Sequence, residues 1–326
     1  MRAEPVDRAR AFWTIGAGRG ELREEPLPAP REGERRVRML ASGISRGTEA
    51  IVFAGRVPAS QHAAMRAPLM AGDFPFPVKY GYAAVGALEG GGPDDGGRVF
   101  VLHPHQDVFN APAAMCIPLP AALPTARAVL GANMETALNI FWDAAPLAGE
   151  RMMVIGAGVV GLLAAALLAR VPGGGVTVVD IDPARRRLAE QFGCRFALPP
   201  EAPGEQELIV HASGSAEGLA LALQRAAFEC RIVEASWFAD AAPAIALGEA
   251  FHARRLRLVA SQVGAVAPAM RGRRSHAERL ALALALLDNP AYDALLEAPT
   301  PFAALPGRMA HLLAGGLCHW ISYGTQ

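Results

Sequence analysis

The chain has 326 residues, a length that suits two domains of ordinary size or one unusually large one. Of these residues 52% are apolar and 19% charged, enough to build a sizeable core and too apolar for a disordered or fibrous chain. Thirty-one basic residues balance 31 acidic ones, which argues against a nucleic-acid binder, since that role asks for a basic excess.

The first thirteen residues, Met1 to Trp13, carry charges throughout and contain no apolar h-region, so no secretory signal is expected. Cys116, Cys194, Cys230 and Cys318 stand far apart, with neither a CxxC pair nor zinc-finger spacing. A reducing, cytoplasmic setting fits that usage. Lys79 is the only lysine among the basic residues, a weak pointer to that position.

In chain order, Arg36–Ala41 and Val78–Leu88 read as strands, Gly90–Gly97 (GGGPDDGG) as a turn, and Arg98–Leu102 as the strand that follows. Prolines at 104, 112, 118, 120 and 124 mark a connecting region with little helix. From Thr125 the texture alternates. Helices are expected over Ala126–Trp142, Val159–Arg170, Pro183–Phe192 and Ala216–Ala227. Strands are expected over Arg151–Ile155, Val176–Asp180, Glu207–Ala212, Arg231–Ala235 and Leu256–Gln262. Such alternation implies an α/β, doubly wound parallel sheet. A helix over His276–Leu287 follows, and the tail pieces Leu295–Ala298 and His319–Tyr323 are placed to return to the first domain's sheet. The expected domains are 1–124 with 265–326, β-rich, and 125–264, the parallel-sheet domain.

Met152–Ala169 runs 18 residues without a charge, long enough to raise a membrane span. Its regularly spaced glycines and the apolar strand after it favour a buried strand–turn–helix instead, and no membrane partner is expected.

That run holds Gly156-Ala157-Gly158-Val159-Val160-Gly161, directly after a strand and opening a helix. The next strand ends in Asp180, 19 residues past Gly161. These are the contextual requirements of a dinucleotide-binding turn. Gly156 permits the tight turn, Gly158 lets backbone N–H groups and Val160's helix end approach a pyrophosphate, and Gly161 lets the helix pack closely. Asp180 suits a ribose 2′-hydroxyl and repels a 2′-phosphate, so NAD is expected, with NADP kept open by Arg185, Arg186 and Arg187. A solvated helix face is the plainer reading of that arginine run.

A β-rich domain, a dinucleotide domain and a return segment together resemble the medium-chain dehydrogenase/reductase superfamily. The local carriers are Ser42-Gly43-Ile44-Ser45-Arg46-Gly47-Thr48-Glu49, Tyr80-Gly81-Tyr82-Ala83-Ala84-Val85-Gly86, Gly96–Phe100 and the glycine turn. The first stretch is similar to that of the bacteriochlorophyllide dehydrogenase branch. The resemblance implies a GroES-like β-rich catalytic domain beside a Rossmann domain, and an NAD(P)-dependent oxidoreductase. Where zinc members carry cysteine, Gly-His-Glu and a later cysteine or acid, this chain has Ser45 (or Arg46), Tyr82 with Ala83, and Glu135. A hydroxyl, a phenol and one carboxylate are poor substitutes for thiolate and imidazole, so the resemblance implies a zinc-lacking branch. His103 and His105, with Asp107, are weighed as replacement ligands and read instead as cleft or loop residues, because a third ligand is missing.

On this reading Tyr82 supplies the hydrogen bond and proton that the metal would have managed, with Ser45 and Thr48 as relay hydroxyls. Lys79 either tunes Tyr82, if the chain bends, or meets an acidic substrate group; in a regular strand the two face opposite sides. Glu135 is a candidate buried acid and Thr136 a cofactor contact, both placed by the resemblance. Ser213, Ser236, Trp237 and Gly264 fall after later sheet strands, where ligands collect. Packing fill at Tyr82 and simple helix capping at Thr48 and Glu49 are the plainer alternatives. Leu256–Gln262 reads as an apolar edge whose pairing across a two-fold would make a homodimer. The substrate expected is a small alcohol, carbonyl or enone. The rivals are a metal-dependent alcohol dehydrogenase with unusual ligands, and a dinucleotide-binding protein without turnover.

Overall fold

A computed structural model describes residues 8–90 and 94–324. Gly91, Gly92 and Pro93 of the expected 90–97 turn, and the first seven residues, lie outside them. By internal contacts the chain divides into two compact units, residues 1–132 with 280–326, and 133–279. These divisions fall within the helices Gly131–Ala144 and His276–Leu286, whereas the sequence placed its boundaries at 124/125 and 264/265, where composition changes.

The first unit holds two sheets. The smaller has four strands, with the hairpin Arg8–Gly16/Arg19–Pro26 joined through Val78–Lys79 to Ala71–Gly72. The larger is centred on Glu34–Gly43, which pairs antiparallel with Ala84–Glu89, Val108–Pro112 and the returning tail strand Trp320–Ser322. The tail thus closes onto the first unit through Trp320–Ser322, as expected. Leu295–Ala298 does not form a strand: it follows a 3-10 turn over Pro290–Leu295, and Thr300–Pro301 is the second tail strand.

The single strand expected over Val78–Leu88 is two, Val78–Lys79 and Ala84–Glu89. Gly81 takes a φ of +125° between them, a conformation that takes the backbone out of the pleat and sends the two halves to different sheets. The expected helix over Ala126–Trp142 is likewise two pieces, Thr125–Ala128 and Gly131–Ala144.

In the second unit six strands lie parallel in the spatial order Arg195–Ala197, Gly175–Val179, Arg151–Ile155, Gln206–His211, Ala226–Glu234, Arg257–Ala260. In chain sequence that is 3-2-1-4-5-6, the doubly wound order whose switch point falls beside the first strand. Arg195–Ala197 is too short to carry a periodic signal, and sequence reading missed it. The charge-free run is accounted for here: Met152–Ile155 is buried in mid-sheet, and eight of the ten residues of the helix Val159–Leu168 are buried against it. Among the described residues no helix is long and apolar enough to cross a membrane.

Inside this unit the guanidinium of Arg279, 2% exposed, meets the Glu135 carboxylate at 3.0 Å and Asn139 Oδ1 at 2.7 Å, and donates to the carbonyls of Ala265 and Val263. A buried charge is tolerated when it is paired and hydrogen-bonded in this way.

Candidate active site

In the first unit, Glu34–Gly43 runs almost directly into the helix Arg46–Phe53, with Ser45 at the N-cap position. The Tyr82 phenol hydrogen-bonds the hydroxyls of both Ser45 and Thr48. The three groups that the sequence reading nominated therefore meet. Burial pushes the Tyr82 phenol up to about 12, the two hydrogen bonds pull it down, and the Glu49 charge adds a smaller upward push. At neutral pH the phenol keeps its proton.

Glu49 is buried in the first turn of that helix and joins two groups. Its Oε1 accepts the Ser45 N–H at 2.7 Å, reaching back to the helix start. Its Oε2 lies 2.9 Å from His105 Nε2. The imidazole continues the chain through Nδ1 to Ser42 Oγ at 2.8 Å, and Ser42 Oγ meets the Tyr323 hydroxyl at 2.9 Å. Burial raises the Tyr323 and Tyr80 phenols above the ordinary range. Sequence reading left Glu49 as a cap and His105 as a cleft residue; the link between residues 49, 105, 42 and 323 is long-range and has no local signature.

The remaining candidates here have other partners. Lys79 Nζ donates to Glu25 Oε2 at 2.6 Å and Gln106 Oε1 at 2.8 Å and sits over the Trp13 ring. Glu25, on the hairpin, takes the charge of Lys79, in place of the suggested tuning of Tyr82. His103 stacks on Phe109 and hydrogen-bonds the Pro104 carbonyl, and burial lowers it to about 3. Asp107 pairs with Arg10. His103, His105 and Asp107 thus face three different sets of partners, and the described residues contain no group of three His, Cys, Asp or Glu placed to hold a metal.

In the second unit the glycine turn joins Arg151–Ile155 to the helix Val159–Leu168, whose N-cap is Gly158. Gly156 has φ +104°, and a Cβ on Gly161 would stand 1.9 Å from the Gly156 carbonyl oxygen. No side chain fits at Gly161. A Cβ at Gly158 would meet nothing within 4 Å, so the turn is open there. Val160 is half-buried in the first turn of the helix. Asp180 Oδ2 accepts the Ala157 N–H at 2.6 Å and Oδ1 the Asp182 N–H at 2.9 Å, so the carboxylate ties the next strand's end to the turn. Ile181 follows it, 84% exposed, an apolar platform at the strand end that sequence reading missed.

Arg185 pairs with Asp182 at 3.2 Å and Arg186 covers the Phe196 ring, so two of the three arginines have local partners. Ser213 follows the strand Gln206–His211, and Ser236 Oγ accepts the Gly214 N–H, which places both at the sheet's carboxyl edge. Gly264 lies in a turn where its carbonyl accepts from His276. Thr136 is half-buried on the helix Gly131–Ala144. Glu135, one turn from Asn139 on that helix, is engaged by Arg279; burial raises its carboxyl while the Arg279 charge opposes the rise. It is a structural ion-pair partner rather than an open acid.

The family model for the C-terminal domain of alanine dehydrogenase/PNT matches residues 144–237, which hold the glycine turn and the strands around it. An uncharacterized zinc-type alcohol dehydrogenase-like protein of Haemophilus influenzae is 28% identical over 145 residues, covering 40% of this chain and 42% of that protein. The match thus spans about two-fifths of that relative. Solved structures match over almost the full chain. L-idonate 5-dehydrogenase of Escherichia coli K-12 superposes with TM-score 0.79 at 13% identity, covering 97% of this chain and 98% of its own. A short chain alcohol dehydrogenase of E. coli CFT073, solved with NADH, gives 0.78 at 15%, covering 98% and 100%. A zinc-binding dehydrogenase of Sinorhizobium meliloti, bound to NADP, gives 0.78 at 17% with the same coverage.

The chain has the fold of the medium-chain alcohol dehydrogenases. Both sheets of the first unit and the parallel sheet of the second belong to that medium-chain fold, as the sequence resemblance implied.

Burial of the phenols has a measurable consequence. An unfolded tyrosine ionises near 10, while folded Tyr82 holds its proton to about 12 and Tyr80 and Tyr323 are also raised. The folded chain therefore binds more protons than the unfolded one above pH 10, and stability falls as pH rises through that window. Absorbance at 295 nm should show far less tyrosinate at pH 10.5 in the native protein than in urea; equal ionisation would mean the phenols are open to water.

Proposed function

We propose that the chain is a zinc-independent, NAD(H)-linked oxidoreductase that moves a hydride between nicotinamide and an alcohol/carbonyl or enone substrate. The observation that carries this reading is the Tyr82 phenol held by the Ser45 and Thr48 hydroxyls; the family resemblance matches Ser45 and Tyr82 to positions where zinc members carry ligands.

Those donors do not suit zinc. The metal selects thiolate, imidazole and carboxylate, and here it would meet a serine hydroxyl and a phenol that keeps its proton to about 12, with Ala83 next to it. No step is routed through a metal. Tyr82 donates a hydrogen bond to the substrate oxygen and supplies its proton as negative charge builds there. Ser45 and Thr48 accept or return that proton, and Glu49 fixes Ser45 through its backbone N–H.

The second unit fits a dinucleotide. Gly156, Gly158 and Gly161 leave an open turn at a helix N-terminus for the diphosphate, with Val160 in that first turn. Asp180 supplies an acceptor for the adenosine ribose and Ile181 an apolar surface for the base. The coenzyme, when bound, supplies hydride donation and acceptance. Two proteins of this fold, under 20% identical, were solved with NADH and with NADP. Asp180 favours NAD here, and Arg187 leaves NADP possible. Thr136, Ser213 and Gly264 stay in the proposal as cofactor contacts. Lys79 and Glu135 do not stay in it, each being engaged by an ion pair.

Tyr82→Phe should reduce turnover about 100-fold or more, the usual range for loss of a proton donor, with cofactor affinity little changed. An unchanged rate would return Tyr82 to a packing role. In the second unit, Arg257–Ala260 ends the sheet, with Val259 36% exposed on it. That open edge would be covered by pairing with a second copy in a homodimer. Sedimentation should give twice the 34.2 kDa chain mass, and Val259→Lys should shift it to monomer; a wild-type monomer refutes the pairing.

A further inference from the structure

The second unit holds a hydrogen-bonded side-chain cluster that supplies no group to the proton transfer at Tyr82, although its Ser213 is also a proposed cofactor contact. His211 ends the strand Gln206–His211 and is fully buried, with both ring nitrogens engaged. Nδ1 lies 2.7 Å from Glu234 Oε2, on the neighbouring strand, and Nε2 lies 2.6 Å from Ser213 Oγ. A carboxylate accepts only, so Glu234 holds the proton on Nδ1 and leaves Nε2 as the acceptor of the Ser213 hydroxyl proton.

Glu234 is itself fixed, its Oε1 accepting the Ser236 N–H at 2.7 Å. The Phe238 ring stacks near the imidazole, with centroids 6.1 Å apart. Ser213 is exposed, and the Ser215 N–H donates to its Oγ at 3.3 Å at the start of the ten-residue helix Ala216–Arg225. Room for the arrangement comes from Gly218, where a Cβ would stand 2.3 Å from Ser213 Oγ and 2.7 Å from His211 Nε2.

We propose that Ser213, His211 and Glu234 form an acyl-transfer site that hydrolyses small uncharged carboxylic esters. Acid, imidazole and exposed hydroxyl stand in hydrogen-bonded order, with the base oriented by the acid, which is the arrangement that activates a serine nucleophile. Ser213 Oγ bonds to the ester carbonyl carbon while its proton passes to His211 Nε2. The ester C–O bond breaks and the alcohol leaves with that proton. Water, deprotonated by His211, then attacks the acyl group, releasing the carboxylic acid and restoring the Ser213 hydroxyl. Glu234 keeps its hydrogen bond to Nδ1 throughout and steadies the imidazolium. The apolar Phe238 ring beside the imidazole favours an uncharged acyl group.

The proposal does not depend on the dinucleotide reading, and its test uses the full chain without nucleotide. A fluorophosphonate should label the native wild-type protein at Ser213, as peptide mass mapping reads, and should fail on the heat-denatured chain. p-Nitrophenyl acetate hydrolysis should fall at least about 100-fold in both Ser213→Ala and Glu234→Gln, each checked for native circular dichroism. Absence of a Ser213 adduct in the native wild type, or equal labelling of native and denatured chains, overturns the proposal, and neither result depends on a variant folding. A folded Ser213→Ala that keeps its hydrolysis rate overturns it as well.

Discussion

The second unit is organised by one close approach. The helix Val159–Leu168 leaves the first parallel strand so sharply that Gly161 touches the Gly156 carbonyl, at a distance that leaves no space for a side-chain carbon. Asp180 fastens the turn from the neighbouring strand by accepting the Ala157 N–H. These two contacts decide where the helix N-terminus points and keep Gly158 clear. The six-stranded order then puts the switch point beside that strand, and the residues after the other strands, Asp180, Ser213 and Ser236, fall along the same carboxyl edge.

The first unit is organised by desolvated hydroxyl and carboxyl groups. Ser45 and Thr48 come from one helix start and Tyr82 from beyond the break at Gly81. Behind Ser45, Glu49 links to His105, Ser42 and Tyr323, so the strand Glu34–Gly43, the segment after Val101 and the returning tail are joined by one polar chain. A buried polar network of this kind specifies one arrangement only when its members are satisfied, and each of these four side chains has a partner.

Much of the second unit was legible because its signals are local. Arg151–Ile155 is a continuous apolar run, a glycine turn follows it and an apolar helix begins at Val159, all within one stretch of chain. The tail element expected over His319–Tyr323 is the strand Trp320–Ser322. What escaped was long-range or irregular. The hairpin Arg8–Pro26 is rich in Arg and Glu, which mask its alternation. Lys79 was offered as a tuner of Tyr82, if the chain bends, or as a partner for an acidic substrate group, yet Glu25, 54 residues away, holds it. Glu135 is the buried acid the sequence reading proposed, but no local signal showed that Arg279, from 144 residues further on, engages it. The Glu234–His211–Ser213 cluster was invisible for the same reason, since neighbouring strands bring together residues 23 apart. By contrast, Ser45, Thr48 and Tyr82 could be grouped in advance through their family positions, and the fold brings them together.

The central claim is that the Gly156–Gly161 turn with Asp180 receives an NAD diphosphate and ribose. Calorimetric titration of the purified chain with NADH and with NADPH tests it most directly. The account predicts saturable binding of NADH, tighter than that of NADPH; absence of binding by either nucleotide, or the reverse preference, would contradict it.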